Sequence, residues 1–419
     1  MFGKGCVVLL LCLIIQIFQS SIAKEYNNIK QAIEEGDISL NFRLRNERAK
    51  QEVLRSANAY TLQSKIGYKS TEFYQNHLCI EAINVSSFLG KKYNSNLDGI
   101  NKSGYAVITD PTGTGISNIN IVAEWVPKTD LIFGRQYISL DNERMVGSNS
   151  FRQYPTSFDA ITVKNDFVKN VDIFYSFINR INTYKNNTIN QEGSHKLYTN
   201  LVNVTWKDFL YGHATVYGYS NNDRSILKNS QNTFGVKFKS DENFIQSRDF
   251  GYEIELAYQK TKANNPDKYS AIYLGLSANK EIIEIFKDWL VTGTLGYELI
   301  GGHNGGKPGR VFKFPLGSLY GFNGLAEGFS ITPDRGLMDW YAKLELEYLD
   351  WVTFTTGLHH FQFAKGSSAH IAGREIDLDA SFKIVKDLNA DVRFAKLNAK
   401  NNSTRSVKRI SLQVNFLVL

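Results

Sequence analysis

Apolar and polar residues alternate along this chain. From Asp37 to Asn46, Ile38, Leu40, Phe42 and Leu44 share one side of an extended strand, and Ser39, Asn41, Arg43 and Arg45 the other. The same pattern closes the chain, where Ile410, Leu412, Val414 and Phe416 alternate with Arg409, Ser411, Gln413 and Asn415. Side chains on a strand switch faces at every residue, so one face needs an apolar neighbour and the other a wet one. A closed barrel in a bilayer, lined by water, supplies both. The pattern predicts an all-β fold: a transmembrane antiparallel β-barrel of the bacterial outer membrane.

Alternating runs of about 9–11 residues, the length of a tilted membrane strand, predict about 18 strands, with 16 the nearest even alternative. They fall near 37–46, 59–69, 73–84, 117–126, 130–136, 157–165, 170–181, 196–207 and 210–220. The series continues with 232–240, 248–260, 269–279, 288–300, 338–348, 350–361, 373–385, 387–397 and 405–417. The gaps alternate between long and short. Residues 70–72, Pro127-Lys128-Thr129, Lys207-Asp208 and Leu349-Asp350 read as tight turns, whereas 85–116, 137–156, 182–195 and 301–337 are long and polar. Bacterial barrels have short periplasmic turns and long external loops. Both termini are therefore expected in the periplasm. The run 280–287 (KEIIEIFK) is either a long connection or an extension of its strand.

Aromatic pairs support this reading. Tyr60 and Tyr68, Tyr252 and Tyr258, and Trp340 and Tyr348 flank strands. At the rise and tilt of barrel strands they stand roughly 15–20 Å apart, near the edges of an apolar band of about 25 Å. A soluble β-sandwich has no need of such one-sided loop lengths.

Residues 1–23 read as a secretion signal, with Lys4, an apolar core from Val7 to Phe18, and small residues at Ser21-Ile22-Ala23. The apolar run is too short to span hydrocarbon. Residues 24–36 form a short periplasmic segment with a helix near 27–36 that stops at Gly36. The barrel takes 37–419. A mean hydropathy of -0.28 excludes a helical membrane protein, but only alternate barrel residues face lipid. Cys6 and Cys12 leave with the signal, so Cys79 has no intramolecular partner. The chain has 48 basic and 41 acidic residues; losing Lys4 leaves 47 against 41, a net +6. That modest excess, with export, argues against nucleic-acid binding.

Two segments carry a family resemblance: Gly134 to Val163 (GRQYISLDNERMVGSNSFRQYPTSFDAITV) and Pro315 to Tyr341 (PLGSLYGFNGLAEGFSITPDRGLMDWY). They resemble signatures of the alginate-export-like outer-membrane porins of Gram-negative bacteria, and GREIDLDASFKI at 373–384 fits as well. The resemblance covers nearly all of the chain after residue 36. It implies a monomeric barrel of about 18 strands whose external loops fold inward to narrow a channel for small solutes or a polysaccharide. It does not imply alginate. Such barrels end on an aromatic residue that the insertion machinery recognises; here Leu417-Val418-Leu419 follow Phe416.

The expected pore lining is locally basic. Arg43, Arg45 and Lys65 fall on inward faces in this register, Arg135 at its edge, and Arg144 and Arg152 in the 137–156 loop that the resemblance places inside the channel. Guanidinium groups in a confined channel attract anions and clamp carboxylates. Asp141, Glu143 and Asp159 oppose them, giving either a transverse field or a set of pairs that pins the loop. Neutralising Arg144 and Arg152 is expected to move selectivity toward cations. Glu253 and Glu255, Lys343, Glu345 and Glu347, and Asp377 and Asp379 share strand faces and read as wetted barrel wall.

Signals for enzyme chemistry fail. Gly301 to Lys307 has phosphate-loop spacing, but Pro308 stands where Ser or Thr is required. His359 and His360 are adjacent, so they face opposite sides of a strand and do not chelate one metal. His303 sits in GGHNGG, a turn-like segment. No nucleophile-and-base set is visible, and neither cofactor nor metal is expected. The sequence predicts a channel for passive diffusion of small polar, anionic or sugar-like solutes. The alternatives are an exporter of an anionic polysaccharide and an adhesive surface barrel.

Overall fold

The computed structural model describes residues 29–95, 102–183, 194–241, 250–286, 288–302, 309–365, 371–400 and 404–418, with the side chains of 282–286 excepted. The expected signal at 1–23, His303 with the rest of 303–308, and Leu419 lie outside the described residues.

Eighteen strands close into one antiparallel ring. They are β1 (Asp37–Gln51), β2 (Ala57–Lys69), β3 (Asn76–Ser87), β4 (Gly113–Val126), β5 (Thr129–Gln136) and β6 (Ser157–Asn165). Next come β7 (Val171–Asn182), β8 (His195–Trp206), β9 (Gly212–Asn221), β10 (Gln231–Ser240), β11 (Phe250–Thr261) and β12 (Ser270–Phe286). The ring finishes with β13 (Trp289–Ile300), β14 (Leu337–Tyr348), β15 (Val352–Gln362), β16 (Ile371–Val385), β17 (Leu388–Ala399) and β18 (Val407–Val418). Each strand pairs with its neighbours in sequence, and β1 pairs with β18 from Leu40↔Val418 to Gln51↔Val407. No edge strand remains. Every backbone group in the apolar layer thus finds a partner, the condition for spanning lipid with strands.

Each expected strand exists. KEIIEIFK extends β12 as far as Phe286, through register shifts near Glu281 and Glu284. Such bulges add a residue and bend the strand. All long connections lie at one end of the ring and the short turns at the other, with β1 starting and β18 ending at the short-turn end. A short helix, α1 (Ile29–Glu34), sits there: the Tyr68 hydroxyl donates to Ile33 O at 2.7 Å and Thr71 N to Ala32 O at 3.1 Å. Gly36 permits this seat, because a Cβ there would meet the Tyr68 ring at 2.4–2.6 Å.

The two faces differ as the alternation requires. Leu44, Ile66, Ile121, Ile161, Val216, Phe234, Leu256, Leu295, Leu358, Leu412 and Phe416 are exposed on the outer surface. Tyr258, Trp340 and Tyr348 are exposed among them as the expected aromatics. Leu295, near the middle of β13 and 69% exposed, is the most open of these. Leu295→Arg is expected to cost roughly 2–4 kcal/mol of stability in a bilayer. The folded fraction in a urea titration from lipid vesicles measures it; Leu295→Ala should cost far less.

The inner face departs from a simple wetted wall. Val146, Phe312, Phe314, Leu316 and Phe329, all from loops, pack on Phe158, Ile178, Leu197, Leu201, Tyr217, Tyr273 and Phe361 of the strands. A second cluster sets Tyr93, Ala106 and Ile108 of the 88–112 loop on Ala49, Ala57 and Ala59. Inward loops bring apolar side chains with them, and the wall facing those loops becomes apolar in turn. Part of the lumen is therefore protein core.

Candidate functional site

Residues 137–156 leave β5 and return to β6, yet they touch strands around much of the ring. The Asn203 amide on β8 donates to Asp141 Oδ2 at 2.9 Å, and Asn142 Nδ2 to Glu253 Oε1 on β11 at 3.3 Å. Arg144 reaches Glu298 on β13. Arg152 reaches Glu47 on β1 at 3.1 Å, and Gln153 Nε2 donates to Thr61 Oγ1 on β2 at 2.9 Å. A loop rooted between β5 and β6 meets β13 and β1 only by crossing the lumen.

The second long connection, 301–336, meets it there. Val146 and Leu316 form a parallel bridge; Gly147 N donates to Leu316 O and Ser318 N to Glu143 O, each at 2.9 Å. The Ser318 hydroxyl donates to Glu143 Oε2 at 2.6 Å. Gly317 allows this approach, since a Cβ there would stand 2.1 Å from Arg144 O. Gly324 has φ +81° and lies where a Cβ would strike the Glu375 carboxylate. The two segments with the family resemblance are thus the two crossing loops together with the strand ends that hold them.

Arg144 is the clasp. Its Nε and Nη2 donate to the two Glu298 oxygens at 2.8 Å each, and Nη2 also donates to Asn323 Oδ1 at 2.9 Å. Tyr273 donates to the same carboxylate at 2.9 Å, and the guanidinium lies 4.0 Å from the centre of the Phe314 ring. Paired donors, a planar partner and burial are the conditions under which an arginine–carboxylate pair is strong.

A second network joins the loops to β1 and β18 of the wall. Arg45 binds Asp110 at 2.9 Å. Arg152 binds Glu47 and Glu327, and Arg409 on β18 binds Glu47 at 2.6 Å and Glu327 at 3.2 Å. Phe151 and Tyr320, one from each loop, stack at 3.4 Å with Arg45 4.2 Å and Arg393 4.9 Å from the Phe151 ring centre. Burial pushes the Asp110 and Glu327 carboxyls up, but the adjacent arginines overcome this and hold both below their usual values. A depressed carboxylate stabilises above its unfolded value, and that stability is lost as pH falls through the folded one. Single-channel conductance is therefore expected to stay level from pH 8 to about 5 and to change only below about pH 4, as this network protonates. A pH series in planar bilayers measures it.

Asp141 behaves otherwise: its burial in the loop seat raises its carboxyl, with Lys237 opposing.

The residues singled out from sequence divide into three groups. Arg43, Arg45 and Lys65 lie inward on adjacent strands, in register with Gln63, Thr61 and Asn41. Arg43 donates to Asn415 at 2.9 Å and to loop carbonyls of Ser150 and Phe151; among the described residues no carboxylate lies within ion-pair distance of it. Lys65 pairs with Glu81 at 3.2 Å. Asp141, Glu143, Arg144 and Arg152 lie in the crossing loop, mostly satisfied by partners.

Arg135 and Asp159 face outward. Arg135 pairs across the sheet with Ile119 and Asp159, and the next outward positions are Phe133 and Ile161, all exposed apolar residues. The two form a bidentate pair at 2.7 and 3.2 Å on the outer wall, not part of the lumen. The inward face of these two strands, β5 and β6, is itself apolar, with Phe158 and Ala160 packed on Val146 of the crossing loop, which is why alternation alone did not separate the two sides.

The carboxylate rows are not uniformly wetted either. Glu255, Glu375 and Asp377 are buried. Glu375 accepts Ala326 N at 2.7 Å and Asp377 accepts Leu325 N at 3.1 Å, so they seat the second loop, while Glu345 stays exposed. His359 is buried against Asp339 at 2.9 Å, and His360 lies on the outer face. Glu47, Asp110, Glu298, Glu327, Arg393 and Arg409 escaped the sequence reading. Glu47, Arg393 and Arg409 carried the right signal, an inward parity on a strand. Asp110 and Glu327 sit in loops, where no periodicity exists to place them.

Residues of the site that keep water contact are Arg43, Lys65, Glu81, Asp379 and Arg393, the last 20% exposed. Inward carboxylates collect on β11 to β16 (Glu253, Glu255, Glu298, Asp339, Glu375, Asp377), and arginines on β17, β18 and β1. The two populations lie side by side on the wall and meet where Asp379 on β16 pairs with Arg393 on β17.

No protein-family model matches the chain, and no curated protein does. Solved structures match over nearly its full length. Acinetobacter baumannii OccAB2 superposes with a TM-score of 0.68 at 11% identity, over 93% of this chain and 99% of that one. Pseudomonas aeruginosa OccK11 (OpdR) gives 0.65 at 11%, over 93% and 97%. Pseudomonas aeruginosa OpdK, crystallised with vanillate, gives 0.64 at 12%, over 91% and 99%. The likeness is one of fold. It shows the closed 18-strand barrel of outer-membrane porins, and it carries no weight for the alginate-export-like label in particular.

Proposed function

We propose that this protein is an outer-membrane channel for passive diffusion of small polar solutes, with a preference for anions. The observation that carries the reading is the charge arrangement at the crossing loops. Arg43 projects into the lumen with its charge uncompensated by a bonded carboxylate, next to Arg45 and Arg393. The remaining guanidinium groups are neutralised in place and hold the loops. A solute carboxylate meeting Arg43 gains a charge-assisted hydrogen bond without displacing a resident partner. Adjacent acidic and basic arcs of the wall orient a dipolar solute as it passes.

The proposal sets the barrel in the outer membrane with the long loops outside and both termini in the periplasm, which the one-sided loop lengths support. Export of an anionic polysaccharide is the second reading, favoured by the run of inward arginines over β17, β18 and β1. Uptake by a porin-deficient host expressing the protein separates them. Small carboxylates should enter faster than cations of similar size. A deletion strain that retains acidic polymer in its periplasm, with no effect on small-solute uptake, would favour export instead.

A further inference from the structure

The outer wall carries a row of like charges that the channel does not use. Lys50 on β1 is paired directly with Lys408 on β18, and Lys408 with Lys396 on β17. All three occupy outward parity, in line with the apolar positions below them, and all are exposed. One step lower on β1 is Arg48, also exposed; Arg374 on β16 pairs with Asn398 of β17 and with His360 of β15, its Nε 3.4 Å from His360 Nδ1. Like charges directly opposite across a sheet repel. Outward positions of β1, β17 and β18, and of β16 from Arg374 to Phe382, hold no carboxylate that would relieve this. At the rim itself Glu52 spends its carboxylate on Ser406 N, at 3.4 Å.

Position supplies the second observation. The next outward positions toward the short-turn end are Ile410 on β18 and Phe394 on β17, then Leu412 and Val392. The lysine row therefore stands on the long-loop edge of the apolar band, where lipid headgroups begin. Lys408 Nζ lies 5.3 Å from the Phe394 ring centre, so its stem follows the apolar wall while its charge stays at the edge. Elsewhere on the same rim Arg180 on β7 faces Lys196 on β8 but has Asp159 at 3.8 Å to relieve it, and Lys260 on β11 faces Asn232 and Ser270.

We infer that Lys50, Lys396 and Lys408, flanked by Arg48 and Arg374, seat the phosphate groups of an anionic lipid in the outer leaflet. The lipid's acyl chains lie on Ile410, Phe394 and Leu412 beneath. The inference rests on the proposed orientation, long loops outward. It concerns a surface on the other side of the wall from the lumen, so it stands or falls apart from conduction.

Native mass spectrometry of the folded, full-length mature protein in detergent tests it, with diphosphoryl lipid A as probe. The wild-type protein should hold the lipid at least about tenfold more tightly than it holds the same lipid stripped of phosphate. Lys50→Gln/Lys396→Gln/Lys408→Gln should lose at least about tenfold in affinity, and Lys260→Gln should lose nothing. Inorganic phosphate at the same concentration should not displace the lipid, since it has no chains to lie on the apolar band. Equal binding of the two lipids by the wild-type protein overturns the inference without recourse to any variant. Unchanged binding by the triple variant overturns it as well. The triple variant's single-channel conductance should match wild type; a wild-type protein that binds the lipid yet passes no current would sink the channel reading alone.

Discussion

Arg144→Met is expected to raise single-channel conductance by about twofold or more, the largest change from any one substitution in the lumen. The side chains of Arg144 and Glu298 are almost wholly buried, at 2% and 8% exposure. Removing one member of such a pair leaves a buried charge without its partner, at a local cost of about 3–5 kcal/mol. The local energy is relieved by lifting the crossing loop, which lets water reach Glu298. The barrel itself is closed by strand pairing that does not involve Arg144, so heat-modified gel migration should report a folded ring. Arg144→Met/Glu298→Met tests the cause. Replacing both partners with apolar groups of similar volume is close to neutral for many buried pairs. Conductance of the double variant should return toward wild type, whereas a wider pore in both would assign the effect to side-chain volume alone.

The second large effect concerns selectivity. Arg43→Gln/Arg393→Gln is expected to lower the chloride-over-potassium permeability ratio by about threefold or more, with little change in conductance. Arg43 has no bonded carboxylate to liberate, and its hydrogen bonds to Asn415 and to loop carbonyls are ones a glutamine amide can partly replace. Arg393 binds Asp379 at 2.8 Å and lies 3.9 Å from Asp391, so its loss also exposes negative charge to the solute path. Both changes act in the same direction. Reversal potentials in a potassium chloride gradient measure the ratio, and Lys343→Gln provides a comparison on the β14 wall.

These two variants also show what a linear sequence conveys. Strand parity placed Arg43 correctly because the period of two is unbroken from Ile38 to Lys50. Parity along β5 and β6 sets Arg135 with Phe133 and Asp159 with Ile161, but the inward face there, Ile132, Phe158 and Ala160, is apolar too, so alternation did not say which side was wet. Strand existence was legible throughout, including the extension of β12, since lipid and water on opposite faces impose the pattern. The loops obey no such constraint. Nothing in local sequence says that Arg144 finds Glu298, 154 residues away, or that Asp110 finds Arg45. The apolar content of the loops, Val146, Phe312, Phe314 and Leu316, was visible but had no register to assign it inward. For that reason the lumen read as a wetted wall when much of it is packed.

Planar-bilayer recording of the purified wild-type protein across a tenfold potassium chloride gradient bears most directly on the claim that crossing loops leave an anion-preferring passage. Stable open currents, with the reversal potential displaced toward the chloride equilibrium value, are the predicted result. Silence with both loops intact, or displacement toward the potassium value, would contradict it.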